Sequence, residues 1–166
     1  MPLSSKLIKQ ETLNIADILL RNNIDLVYGG AKIGIMGIIS NRIMEKGGKV
    51  TGIIPKILVK KEIINNDITK LIVVNSMHER KKMMYDLSDA YIILPGGIGT
   101  LEELSETITW KVLGIEDKKI IIFNLNGFYD NLIKQFKMME ENNFLYNNIL
   151  QKIIIIKDSN KLDQVI

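Results

Sequence analysis

Residues 94–103 read Leu94-Pro95-Gly96-Gly97-Ile98-Gly99-Thr100-Leu101-Glu102-Glu103. The apolar run Tyr91 to Leu94 is a buried strand that Pro95 stops, and a helical stretch with two carboxylates follows the glycines. Glycines at a strand-to-helix turn let the backbone approach a ligand, and a helix N-terminus offers free N–H groups to an anion, above all a phosphate. Glu102 and Glu103 have two readings. They either favour the positive end of the helix dipole or act on a ligand held at the turn. A Gly-rich turn alone is a weak signal, and the threonine and the acids strengthen it.

Two further strand ends carry chemistry. One is Gly29-Gly30-Ala31-Lys32-Ile33-Gly34, the other Asn75-Ser76-Met77-His78-Glu79-Arg80-Lys81. In a doubly wound sheet ligands bind beyond the carboxyl ends of the strands. A single parallel sheet therefore predicts that the three ends meet at one edge. Arg80 offers a planar fork suited to phosphate or sugar oxygens, although a lone Arg-Lys pair is ordinarily a solvated helix start. His78 reads as packing or capping. Met77 is either core or the border of a flat base, and Met36 and Trp110 read as core. A carboxylate such as Glu103 beside a sugar can stabilise oxocarbenium character or orient a water, as in glycoside hydrolysis. Glu62 alone reads as surface, and Thr109 as ordinary helix packing.

The elements that must position these groups alternate along the chain. Helices are predicted over Leu7 to Arg21, Gly34 to Met44, His78 to Ser88, Glu102 to Leu113 and Tyr129 to Asn142, from apolar spacing and flanking stop residues. Strands are predicted over Asp25 to Tyr28, Val50 to Ile54, Leu71 to Val74, Tyr91 to Leu94, Lys119 to Phe123 and Ile153 to Ile156. Lys56 to Thr69 is polar and reads as loop with a short helix. The strands are near-continuous runs of Ile, Val and Leu, as expected when both faces are covered. The pattern predicts an α/β, doubly wound parallel sheet in three layers, αβα. The 166 residues, 46% of them hydrophobic, suit one domain over 1–166. Without cysteine and with one histidine, neither a thiolate nor a His-rich metal site is available. The net charge of +3 is mild and aromatics make up 6%, so no nucleic-acid surface is indicated. No apolar run reaches the ~18 residues of a membrane span, and the N-terminus lacks the apolar core of a signal peptide. A cytoplasmic protein is expected.

Taken together, Tyr28-Gly29-Gly30, Ser76-Met77-His78-Glu79-Arg80-Lys81 and Pro95-Gly96-Gly97-x-Gly99-Thr100-x-x-Glu103 resemble the Lonely Guy (LOG) family, cytokinin riboside 5′-monophosphate phosphoribohydrolases. The resemblance runs from about Leu7 to Ile156 and includes Gly34-Ile35-Met36-Gly37, Gly52-Ile53-Ile54-Pro55 and Thr109-Trp110-x-x-Leu113-Gly114. It implies a Rossmann-like fold and hydrolysis of an adenosine 5′-monophosphate to free base and ribose 5-phosphate, without metal or organic cofactor. Arg80 and Glu103 would be the catalytic pair. Gly97, Gly99 and Thr100 would hold the 5′-phosphate, with Ile98, Leu101 and Glu102 on the same loop. Glu62, Lys81 and Thr109 would sit in the substrate pocket, joined by Gly29, Gly30 and Met77 at the other strand ends. The resemblance also implies a homodimer or higher homo-oligomer. Many members carry the label "lysine decarboxylase". A pyridoxal enzyme needs a Schiff-base lysine and a cofactor site, and no feature of the sequence marks one. Molybdenum-cofactor carriers share this type of glycine turn, so a non-catalytic carrier is the alternative.

One departure stands out. Family members usually begin with a strand ending in a Gly-Ser-Ser type loop, whereas here the sequence reaches the first helix almost at once, with Ser4 and Ser5 as the remnant of that loop. The family's first strand is expected to be missing, through a truncated or misassigned start. An unfilled position in a sheet exposes backbone groups and apolar surface. Met1 to Ser5 are therefore expected either to extend as a substitute strand or to leave the gap to be shielded by pairing of chains through their helices.

Overall fold

The computed structural model describes residues 5–59, 64–145 and 148–166. The chain divides between Ser88 and Asp89 into two compact units, each an α/β layer structure built on a three-stranded sheet.

The N-terminal unit runs α1 (Ser5–Arg21), β1 (Leu26–Tyr28), α2 (Gly34–Glu45), β2 (Val50–Pro55), α3 (Lys56–Val59), β3 (Lys70–Val74) and α4 (Met77–Leu87). Its strands lie in the order β1-β2-β3 and every ladder is parallel, with Tyr28 opposite Gly52 and Pro55 opposite Val74. The central strand β2 is buried at every position but Thr51, whereas its neighbours are partly exposed. That is what a strand paired on both sides and covered on both faces requires. Helix α1 buries Thr12, Ile15, Ala16, Ile18 and Leu19, a stripe at helical spacing. It is tied to α2 by a bidentate pair in which Arg42 donates to both Asp17 oxygens at 2.8 and 2.9 Å. The guanidinium holds the Asp17 carboxyl below its ordinary range, an effect that burial partly opposes. Ser5 opens α1 rather than extending as a strand, and 1–4 lie outside the described residues.

The C-terminal unit runs β4 (Ala90–Ile93), α5 (Ile98–Val112), β5 (Lys119–Phe123), α6 (Asp130–Glu141) and β6 (Ile153–Ile156). Short 3₁₀ turns lie at Leu125–Gly127, Ile149–Lys152 and Ser159–Gln164. The order is β4-β5-β6, again parallel throughout, in register at Ile93 with Ile122 and at Phe123 with Ile156. Ile120 and Ile122 project from one face of β5 into a cluster with Leu104 and Ile108 of α5 and Phe136 of α6. The predicted strands are thus present within a residue or two. The largest shift is at α5, which begins at Ile98 instead of Glu102, so Gly99 and Thr100 belong to its first turn. No helix among the described residues is long and apolar enough to cross a membrane.

Candidate functional site

The two glycine turns are built differently. At the end of β1 the chain fills the space itself. Gly30 has φ +84°, and a side chain at Gly52 would meet the Gly30 backbone at 2.9 Å, so these two strands need glycine to approach. The Gly30 carbonyl accepts from the Asn65 N–H at 3.0 Å, and the fully buried Asn65 amide donates to Ser40 Oγ at 3.1 Å and Asn41 Oδ1 at 3.2 Å. Gly29 serves Arg80. A Cβ at residue 29 would collide with the Arg80 guanidinium and crowd the Met36 sulfur. Arg80 Nε donates to the Ile53 carbonyl at 3.1 Å. A half-buried arginine is therefore laid against the carboxyl end of β1 and the interior of β2 by a backbone hydrogen bond and a glycine floor.

Arg80 reaches this seat because α4 starts where it does. Ser76 caps the helix by accepting from the Glu79 N–H at 3.1 Å, and the Glu79 carboxylate accepts from the Asn75 N–H at 2.6 Å. This resembles a capping box, in which the Ser76 side chain occupies the Glu79 N–H of the first turn. Met77 and Lys81 are half-buried on α4. His78 is exposed, contrary to the expectation that it packs or caps, because Ser76 already takes the capping position. Met36 is likewise 38% exposed rather than core, since its place is beside Gly29 at the strand end.

The second turn is open. Gly97 is the N-cap of α5 with φ −94° and no side-chain cap, and the first helical hydrogen bond runs from the Leu101 N–H to the Gly97 carbonyl at 3.2 Å. The N–H groups of Ile98, Gly99 and Thr100 precede that bond and have no partner inside the helix. A Cβ at Gly97 or Gly99 would meet nothing within 4 Å, whereas one at Gly96 would collide with the Thr100 side chain. Thr100 is thus folded back over Gly96, and Gly97 and Gly99 face open space. Ile98 between them is 81% exposed. Leu101 turns inward onto the hydrophobic cluster.

One turn further on, Glu103 is half-buried and Glu102 exposed. Thr109 lies six residues beyond Glu103, ~9 Å along the helix axis, and is exposed with its hydroxyl donating to the Ser105 carbonyl at 2.7 Å. Trp110 is half-buried. Glu62 lies outside the described residues. No group of three or more His, Cys, Asp or Glu side chains suited to a metal ion occurs among the described residues.

A residue absent from the sequence-based set also touches the open turn. Tyr129, at the start of α6, donates its hydroxyl to the Leu94 carbonyl at 2.7 Å. Burial raises its phenol pKa above the ordinary value, and the nearby Gly96 backbone partly offsets this. The contact joins residues far apart in the chain, so no local pattern signals it. The Ser76–Glu79 capping box, by contrast, is visible as Ser-x-x-Glu at the end of a strand.

Comparison with known proteins places the chain. The family described as "Possible lysine decarboxylase" matches residues 36–165. The chain is 42% identical over 154 residues to cytokinin riboside 5′-monophosphate phosphoribohydrolase LOG2 of Arabidopsis thaliana, covering 93% of this chain and 72% of that protein. It is 43% identical over 142 residues to LOG4 of the same plant, covering 86% and 66%. The chain thus spans about two thirds of the length of such relatives. Among solved structures, the molybdenum cofactor carrier protein of Chlamydomonas reinhardtii superposes with a TM-score of 0.71 at 15% identity, covering 97% of this chain and 86% of that one. At that identity the likeness establishes the Rossmann-like fold alone.

Proposed function

The chain belongs to the LOG family of cytokinin riboside 5′-monophosphate phosphoribohydrolases, and from that membership we propose that it hydrolyses the N-glycosidic bond of an adenosine 5′-monophosphate, plain or N6-substituted. The C1′–N9 bond breaks, a water oxygen bonds to C1′, and one water proton ends on the departing base, giving free base and ribose 5-phosphate. The open start of α5 receives the 5′-phosphate through backbone N–H groups and the positive end of the helix. Glu103 stabilises positive charge at the anomeric carbon or binds the ribose hydroxyls. Arg80 is the second catalytic residue, a cation that holds the nucleotide and assists departure of the base.

The observation that carries this reading is the contrast between the helix starts. The start of α4 is capped by the Ser76 side chain, while that of α5 has no side-chain cap, and the missing Cβ atoms of Gly97 and Gly99 serve no contact within the chain. Decarboxylation through pyridoxal has weaker support. Lys111, with an 8% exposed side chain, is held by Asp117 at 2.7 Å and by the Lys118 carbonyl at 3.0 Å, at the opposite end of α5 from the glycines.

The test is release of adenine from AMP compared with adenosine. AMP is expected to be hydrolysed at least about a hundredfold more efficiently, since a well-placed phosphate contact contributes ~3 kcal/mol. Equal rates on the two would remove the turn from the mechanism, and no free base from AMP or its N6-isopentenyl derivative would remove the hydrolase reading in favour of a carrier.

The same proposal includes a homodimer. Leu113 and Ile115, each 65% exposed at the end of α5, are apolar surface of the kind that pairing covers. Light scattering should give twice the 18.9 kDa of one chain. A stable monomer at micromolar concentration would oppose this part of the reading.

A further inference from the structure

Tyr129 has two halves with different surroundings. Its ring belongs to the hydrophobic cluster of the C-terminal unit, beside Ile93, Leu104 and Ile122, and meets Phe128 edge-on at 4.9 Å and 87°. A phenylalanine would fill that volume equally well. The hydroxyl has a separate task. It donates to the Leu94 carbonyl at 2.7 Å. Leu94 and Gly96 flank Pro95, which has no N–H of its own. The phenol therefore anchors the chain on the strand side of Pro95, where β4 ends and the glycine turn begins.

The tyrosine is itself firmly seated. Asn124, 2% exposed at the end of β5, accepts from the Tyr129 N–H at 2.7 Å and donates to Asp130 Oδ1 at 2.8 Å. The Asn124 N–H donates to the Ile156 carbonyl at 2.7 Å. A continuous chain of hydrogen bonds thus runs from β6 through the end of β5 to Tyr129 and on to the turn.

We infer that Tyr129 is a positioning residue for phosphate binding: its phenol fixes the Leu94 carbonyl at the entrance to the glycine turn and so sets the direction in which Gly97, Ile98, Gly99 and Thr100 present their N–H groups. The inference rests on the reading of that turn as the 5′-phosphate site. Charge-assisted hydrogen bonds depend steeply on geometry, so a turn released from this anchor holds a phosphate less well even with every phosphate-facing residue still present. The effect falls on phosphate binding and leaves chemistry at the anomeric carbon largely untouched.

The experiment compares wild type with Tyr129→Phe in melting temperature, in ribose 5-phosphate affinity by titration calorimetry, and in kcat and KM on AMP and adenosine. The ring keeps its packing, so a cooperative melt is expected. Ribose 5-phosphate affinity should fall and the AMP KM rise by about tenfold, with kcat within about threefold and adenosine kcat/KM within about twofold. A merely structural role lowers both substrates alike. An equal loss on AMP and adenosine overturns the inference, as does a ribose 5-phosphate affinity within about twofold of wild type. Should Tyr129→Phe fail to fold, 4-aminophenylalanine at position 129 carries the test. Its weaker donor and acceptor should reduce ribose 5-phosphate affinity by roughly two- to fourfold, and an affinity equal to wild type overturns the inference. A wild-type protein that binds ribose 5-phosphate but releases no base removes the hydrolase reading and leaves the binding comparison decisive. One that binds no ribose 5-phosphate removes both.

Discussion

Glu103→Gln is expected to lower AMP turnover by about a thousandfold while nucleotide affinity changes by less than about tenfold, ~1.4 kcal/mol. The amide keeps the shape of the carboxylate and removes its charge, and the fold should tolerate it because Glu103 is only half-buried beside the fully packed Leu104. Ground-state binding rests mainly on the phosphate and the base, so it survives. The oxocarbenium-like transition state carries positive charge that a neutral amide cannot balance. The competing role for Glu103 is a helix-dipole acid one turn into α5, which predicts a different signature. Losing such an acid costs roughly 0.3–1 kcal/mol of stability and leaves turnover alone. Steady-state kinetics and a thermal melt on one variant therefore separate the two. Wild-type turnover with a slightly lowered Tm would reduce Glu103 to a structural acid.

Most of the scaffold was legible because its signals are local. Lys119 to Phe123 and Val50 to Ile54 read as strands, and they are the central strands of their sheets. The start of α5 was read four residues late because glycines depress helix propensity, yet the first turn of a helix tolerates them where no side-chain packing is asked of them. The glycine motifs were recognised, but not their different physical roles. Gly29 and Gly30 are explained by Arg80 and by the approach of β1 to Gly52, while Gly97 and Gly99 are required by nothing in the chain. That distinction depends on three-dimensional neighbours. Tyr129 reads only as a helix start for the same reason, since its partner Leu94 lies at a different strand end. His78 was misplaced for a local reason: the Ser76–Glu79 capping pair was present in the sequence and leaves no capping role for the imidazole.

Gly99→Ala is expected to move stability and activity in opposite directions. The backbone at Gly99 is helical, its φ is not in the left-handed region, and an added methyl meets nothing within 4 Å. Alanine is a better helix former than glycine and leaves the unfolded chain with less freedom, so the variant should be as stable as wild type or more so, by up to about 1 kcal/mol. If the open space is where phosphate oxygens approach the N–H groups of the first turn, the methyl occupies it. Losing close approach to a dianion should then lower kcat/KM on AMP at least about a hundredfold, ~2.8 kcal/mol, chiefly through KM. Gly97→Ala should lose activity likewise but at a small cost in stability, because residue 97 is the extended N-cap, where glycine is preferred over alanine. Gly96→Ala is the contrasting case, because its methyl would collide with Thr100 and meet Thr100 Cγ2 at 3.1 Å. That variant should lose stability and activity together, as a displaced threonine distorts the turn from within. The comparison isolates the ligand as the reason for glycine at 97 and 99. A Gly99→Ala protein with an unchanged or raised melting temperature and wild-type kcat/KM on AMP would mean that the phosphate does not bind there.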